Sequence, residues 1–311
     1  MSVEGARLAR SAAYASIAVG LFLAALKGWA AWRTGSTAML GSLADSTLDV
    51  IASMATLVGV WVAAQPADES HRFGHGKAEA LAAMFQVILI VFSGGAIAVR
   101  AAGQLLSGGA VEAAAEGMAV SGVAIAATLL LLAWQRHVIR RTGSLAIRTD
   151  SLHYRSDLLL NLAVIAALAL EQYAGVAGAD PVFGMAIAAW LLWGAWRASR
   201  EAVDNLMDRE WPEEKRQRFV ERAARHPEIS KLHDLRTRTS GNQDFAQFHV
   251  NLPARMTVFE AHQVIERVEQ DLLAEFPGLE LLIHIDPEGH VDDPDNRLAE
   301  TDEFGKLRAN R

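Results

Sequence analysis

Four residues in two apolar stretches of this chain have the type and spacing to hold a metal ion. Asp45 and Asp49 stand at i and i+4 in Leu43-Ala44-Asp45-Ser46-Thr47-Leu48-Asp49-Val50-Ile51. His153 and Asp157 repeat that spacing in Asp150-Ser151-Leu152-His153-Tyr154-Arg155-Ser156-Asp157. Residues four apart share one face of a helix. Two such helices facing one another would converge three carboxylates and one imidazole, a tetrahedral set of N and O donors. The chain has no cysteine, which excludes thiolate ligands and disulfides together. Acids in an apolar span are costly, about 2.5–3.5 kcal/mol for one central Asp and roughly 5–7 for two. A single such Asp can simply cap a broken helix or pair with Ser, Thr or Arg155. Two i, i+4 pairs on separate stretches argue for function instead. Asp150 and Ser151 fit helix capping near the membrane surface and stay outside the ligand set.

The elements that must position these residues follow from hydropathy. Of 311 residues, 51% are hydrophobic, rich for a soluble protein, and they concentrate before about residue 206. Segments 11–32, 38–64, 79–106, 116–136, 145–173 and 180–203 each approach the roughly 20 apolar residues a membrane helix needs. The amino terminus has a basic flank but no small-residue cleavage site after a short apolar core. It reads as a retained first span rather than a signal peptide. Arg7, Arg10, Arg72, Lys77, Arg136, Arg140, Arg141, Arg148, Arg197, Arg200 and Arg209 fall on one side of the six spans, against Arg33 and Arg100 on the other. The positive-inside rule then predicts both termini in the cytoplasm. A net charge of −7 gives a nucleic-acid partner no electrostatic support.

After Asp208-Arg209-Glu210-Trp211-Pro212 the pattern becomes that of a soluble domain. Residues 213–226 are charged and helical in type. Stretches 229–239 and 243–253 read as strands joined by a turn at Ser240-Gly241-Asn242. Residues 257–275 form an amphipathic helical pattern, and Leu281, Ile283 and Ile285 alternate with polar neighbours as in a third strand. The expected fold is an α-helical membrane domain of six transmembrane helices plus a small cytoplasmic α+β domain of order α-β-β-α-β. The expected organisation is a cytoplasmic segment 1–10, a transport domain 11–208, a cytoplasmic domain 209–291 and a disordered tail 292–311.

The Asp-x-x-x-Asp of the second span, the His-x-x-x-Asp of the fifth and the loop His71-Arg72-Phe73-Gly74-His75-Gly76-Lys77-Ala78-Glu79 together resemble the cation diffusion facilitators. The likeness is strongest to the bacterial ferrous-iron/zinc efflux type and runs from about residue 10 to 288. It implies a homodimer in the cytoplasmic (inner) membrane that moves metal outward against protons, with a metallochaperone-like cytoplasmic domain. Carried over residue by residue, it makes Asp68, His71 and His75 a loop metal site. It makes His233, His249, His262, His284 and Asp286 a dinuclear site in the cytoplasmic domain. His284 and Asp286 share a strand face by the period of two, and His249 falls on the less apolar side of its strand.

These readings predict a carrier rather than an enzyme. There is no His-Glu-x-x-His, and no Glu in the ligand-bearing parts of spans two and five to act as a base beside a metal-bound water. A membrane metal sensor or scaffold using the same residues without net transport is the alternative. Zn²⁺ is the first expected ion, as cargo and as regulator. Fe²⁺, Cd²⁺ and Mn²⁺ are also acceptable to three carboxylates and an imidazole. The expected partners are a second copy of the chain, membrane lipid and protons.

Overall fold

The computed structural model describes residues 3–34, 37–107, 115–174, 179–241, 243–289 and 302–309. They divide into two compact units, Met1–Leu206 and Met207–Arg311. The first holds long helices α1 (Val3–Thr34), α2 (Thr37–Ala63), α3 (Ala78–Ser107), α4 (Ala115–Thr142), α5 (Leu145–Ala174) and α6 (Ala179–Leu206). Helix α1 starts at Val3, so the separate segment expected at 1–10 is a continuation of the first helix wherever it is described.

Among the described residues, four stretches are long and apolar enough to span: Glu4–Arg33, Asp45–Ala63, Ala78–Leu106 and Gly122–Thr142. Helices α5 and α6 differ in charge rather than length. At 30 and 28 residues they are roughly 42–45 Å long at 1.5 Å per residue, enough to cross a bilayer. Helix α5 carries Arg148, Asp150, Arg155 and Asp157, and α6 carries Arg197, Arg200, Glu201 and Asp204. On the outer faces Phe92, Val99 and Leu130 are each at least 73% exposed, a belt that suits acyl chains and not water. Inside, small residues let the backbones approach: Ala9, Ala12, Ala13, Ala82 and Ala146 pack with Val60, Val138 and Ile147. At Gly59 a Cβ would lie 2.3 Å from the Cβ of Ala82, so this crossing of α2 and α3 depends on the missing side chain.

The second unit runs α7 (Glu213–Ala223), β1 (Leu232–Ser240), β2 (Gln243–Leu252), α8 (Val258–Glu275), β3 (Leu279–Pro287) and α9 (Glu303–Ala309). Helix α8 begins at a capping box in which Thr257 and Glu260 satisfy each other's backbone N–H groups. It buries Ala261, Val264, Val268 and Leu272, spaced at three and four residues. The sheet order is β1-β2-β3. β1 and β2 are antiparallel, whereas β2 and β3 are parallel, which requires the α8 crossover. The register sets His233 opposite His249 and His249 opposite His284. Three imidazoles therefore stand in one row across the sheet.

The disorder expected over 292–311 does not describe residues 302–309. Phe304 is 7% exposed within the core of this unit, and Arg216 pairs with Glu303 at 2.8 Å. One aromatic and one ion pair anchor α9, a signal that the polar composition around it conceals. Residues 290 and 291 at the end of the expected cytoplasmic domain, residues 292–301, 310 and 311 of the expected tail, and Asn242 of the expected turn lie outside the described residues.

Candidate metal centres

Among the described residues, three groups offer ligand atoms that all lie within 4.8 Å of one another: Asp49, His153 and Asp157; Asp68, His71 and His75; His233, His249 and Asp286. The first joins α2 to α5. His153 Nε2 lies 2.6 Å from Asp49 Oδ1, and both residues are 7% exposed. Asp157 follows His153 by one turn and completes the group. Asp45 lies one turn before Asp49 on α2 but is exposed and outside the 4.8 Å set. Between them Ser46 is fully buried, and its hydroxyl accepts from Lys27 Nζ of α1 at 2.7 Å.

Helix α5 is held at its start by a group that sequence reasoning missed. Glu79, 5% exposed, accepts from the Ser144 hydroxyl at 2.8 Å and from the Leu145 N–H at 3.1 Å. A carboxylate there satisfies orphan donors and complements the positive end of the helix. Glu79 lies only four residues beyond His75, whose carbonyl accepts from Ala78 N–H at 2.9 Å.

The loop group is built on a turn, with Asp68 and His71 exposed and His75 half-buried. Gly74 adopts φ 75°, and its N–H reaches the His71 carbonyl at 2.9 Å, folding the chain back. The His71 and His75 rings thereby come to 4.5 Å. Asp68 Oδ1 accepts from the His71 N–H at 2.6 Å and the Ser70 N–H at 2.9 Å, while its Oδ2 lies 3.4 Å from His75 Nε2. The His71 backbone N–H leads the contacts that hold the Asp68 carboxyl below its usual range, so it stays ionised and ready to ligate.

The sheet group centres on Asp286, which is 5% exposed. Its Oδ2 lies 2.9 Å from His249 Nδ1 and 3.3 Å from His233 Nε2, while its Oδ1 lies 3.5 Å from His284 Nε2. One carboxylate thus faces imidazoles with both of its oxygens. Burial pushes the Asp286 carboxyl up, but the His249 hydrogen bond and the three nearby histidines outweigh it and hold it low. His233, which only the family resemblance pointed to, is 2% exposed and part of the group. His262 is exposed on α8 and outside the 4.8 Å set. Asp234, absent from the sequence reading, comes 3.8 Å from His249 Nε2 at an irregularity of β1 where its φ is 49°. No sequence signal marks that turn of the backbone.

The family described as Cation efflux transmembrane domain matches residues 13–207, and that described as Cation efflux protein, cytoplasmic domain matches residues 211–288. A cation-efflux pump FieF of Serratia proteamaculans is 43% identical over 289 residues, 92% of this chain and 95% of its own length. The proteins of the same name from Cronobacter sakazakii and Yersinia pestis are 41% and 42% identical over the same shares. The solved Zn form of CzrB is 32% identical, covers 28% of this chain and 99% of its own, and aligns at a TM-score of 0.25.

Proposed function

The chain belongs to the cation efflux family of membrane metal transporters, and we propose that it exports Zn²⁺ through the Asp49, His153 and Asp157 cluster in exchange for protons. Asp45 joins these ligands as the ion passes. The pairing of a buried imidazole with a buried carboxylate on one helix and a half-buried carboxylate on another carries this reading. The 2.6 Å contact between His153 Nε2 and Asp49 Oδ1 needs one proton between them. A cation that takes Nε2 must replace that proton, because ligation requires neutral imidazole and ionised carboxylate. Acid on the far side reverses the exchange, protonating the ligands and expelling the ion. Fe²⁺, Cd²⁺ and Mn²⁺ are further cargo on the same ligand chemistry.

The protein works as a homodimer in the cytoplasmic membrane with both termini inside. The loop residues Asp68, His71 and His75 bind a second ion at the cytoplasmic mouth. His233, His249, His284 and Asp286, with His262, bind a pair of ions that regulates the carrier by favouring one arrangement of the dimer over another. Zinc flux into proteoliposomes, followed with an enclosed zinc dye, tests the reading. Wild type fills the vesicles and His153→Ala does not. Equal filling by the two proteins removes the cluster from the pathway. Zinc binding without filling by wild type leaves a metal sensor instead.

A further inference from the structure

Asp150 lies in α5 three residues before His153, well inside the helix rather than at its cap, and is 0% exposed. Its Oδ2 accepts from the Ser16 hydroxyl at 2.6 Å and from Gln135 Nε2 at 2.8 Å. Its Oδ1 accepts from Gln86 Nε2 at 2.9 Å and from the Ser53 hydroxyl at 3.3 Å. The four donors sit on α1, α4, α3 and α2 in that order, so one carboxylate ties α5 to four other helices. A carboxylate has about four lone-pair sites, and here each faces a donor. None is left for a cation, which separates Asp150 from the metal ligands one turn away.

The donors are all neutral, so no ion pair explains a buried acid whose isolated burial would be expensive. Tyr154, one turn further on, extends the same face. Its hydroxyl donates to the Ser16 carbonyl at 2.9 Å and meets the Ser53 hydroxyl at 3.2 Å. Helix α5 therefore has two adjoining faces. Asp150 and Tyr154 anchor one, and His153 and Asp157 present the other to Asp49. Since each residue turns a helix by about 100°, a small rotation of α5 would swing His153 away from α2.

We propose that Asp150 is a positioning residue: by hydrogen-bonding to α1, α2, α3 and α4 it fixes the rotation and depth of α5 that bring His153 and Asp157 to Asp49. This rests on the reading of that cluster as the cargo site. The test is equilibrium zinc binding to the full-length chain carrying His71→Ala, His75→Ala, His249→Ala and Asp286→Ala, which leaves the cargo site alone. Adding His153→Ala should abolish the remaining binding; persistence there refutes the cargo site itself. Adding Asp150→Ala should weaken binding roughly 10- to 100-fold, the range for residues that orient metal ligands. Asp150→Asn should recover most of that loss. Its amide oxygen still accepts from one of Gln86 and Gln135, and its N–H group can donate to the other once that side chain turns, since both glutamine oxygens lack hydrogen-bond partners. In the chain with all three sites, Asp150→Ala should leave zinc binding at the loop and sheet groups unchanged. Unchanged affinity in Asp150→Ala, or loss of all three sites together, overturns the proposal. Should Asp150→Ala fail to assemble, Gln135→Leu decides it. That change removes one helix tie and no charge, and unchanged zinc affinity there is equally fatal.

Discussion

The cluster on α2 and α5 and the cluster on the sheet use the same two side-chain types and differ in what holds them. In the sheet, His233, His249 and His284 sit on hydrogen-bonded neighbours in direct register. Their spacing is set by the ladder and cannot change without breaking it. In the membrane unit, Asp49 and His153 belong to separate helices that side chains hold together, by their own contact of 2.6 Å and by Ser53 reaching Asp150 and Tyr154. A site between helices can open and close as the helices shift, whereas a site on a ladder holds its shape. The first arrangement suits an ion that must be released, the second an ion that is retained and reports its own concentration.

The largest effect should come from breaking the movable site. Asp49→Ala should bring zinc flux in proteoliposomes down roughly 100-fold or more, with the dimer still assembled, since loss even of residues that only orient ligands costs 10–100-fold. Flux near wild type would remove Asp49 from the site. The fixed site should show itself most directly in stability. The soluble unit, residues 207–311, should gain about 2.7 kcal/mol when free zinc stands at 100 times its Kd. His249→Ala with Asp286→Ala should erase the gain, and an unchanged melting shift would end the assignment of these residues as ligands.

A smaller change sharpens the comparison by altering ligand type without deleting a ligand. Asp45→His exchanges a carboxylate for an imidazole and removes one negative charge. Manganese flux should fall before zinc flux, since imidazole suits zinc and carboxylate the harder ion. Equal loss of every ion would show that ligand type at this position does not select. Unchanged flux for all would show that Asp45, exposed on α2, never touches the cargo.

The smallest effect lies away from both sites. Arg222 hydrogen-bonds Asp271 and holds its carboxyl below the ordinary range, with His226 at 3.2 Å adding to this. A group whose pKa falls on folding stabilises the fold above its unfolded value, and that contribution fades as pH drops through the folded value. Asp271→Asn should therefore lower the stability of the soluble unit near pH 6 by about 0–1 kcal/mol. The gap to wild type should close as pH falls below about 4. A gap that stays constant down to pH 2 would show that charge on Asp271 is not its cause.

The residues read most directly from sequence were Asp49, His153 and Asp157, because ionisable side chains at i and i+4 stand out in apolar helices. His233 was harder. Its partnership depends on the register between β1 and β2, and alternation along one strand says nothing of its neighbour. Asp150 was read as a cap because its donors Ser16, Ser53, Gln86 and Gln135 come from four other helices, and no local pattern joins them. Glu79 escaped for the same reason, its partners Ser144 and Leu145 being 65 and 66 residues away. The short helix α9 was hidden by composition, since Phe304 is one apolar anchor in a polar tail.

The exchange of cation for proton at the α2–α5 cluster is tested most directly by watching both ions in the same vesicles. Proteoliposomes enclosing a pH dye and a zinc dye, given zinc outside, should fill with zinc while their interior becomes more alkaline. Asp49→Ala vesicles should show neither change. Zinc uptake by wild type with no change of internal pH would contradict the account, because a cation that takes His153 Nε2 must send a proton the other way.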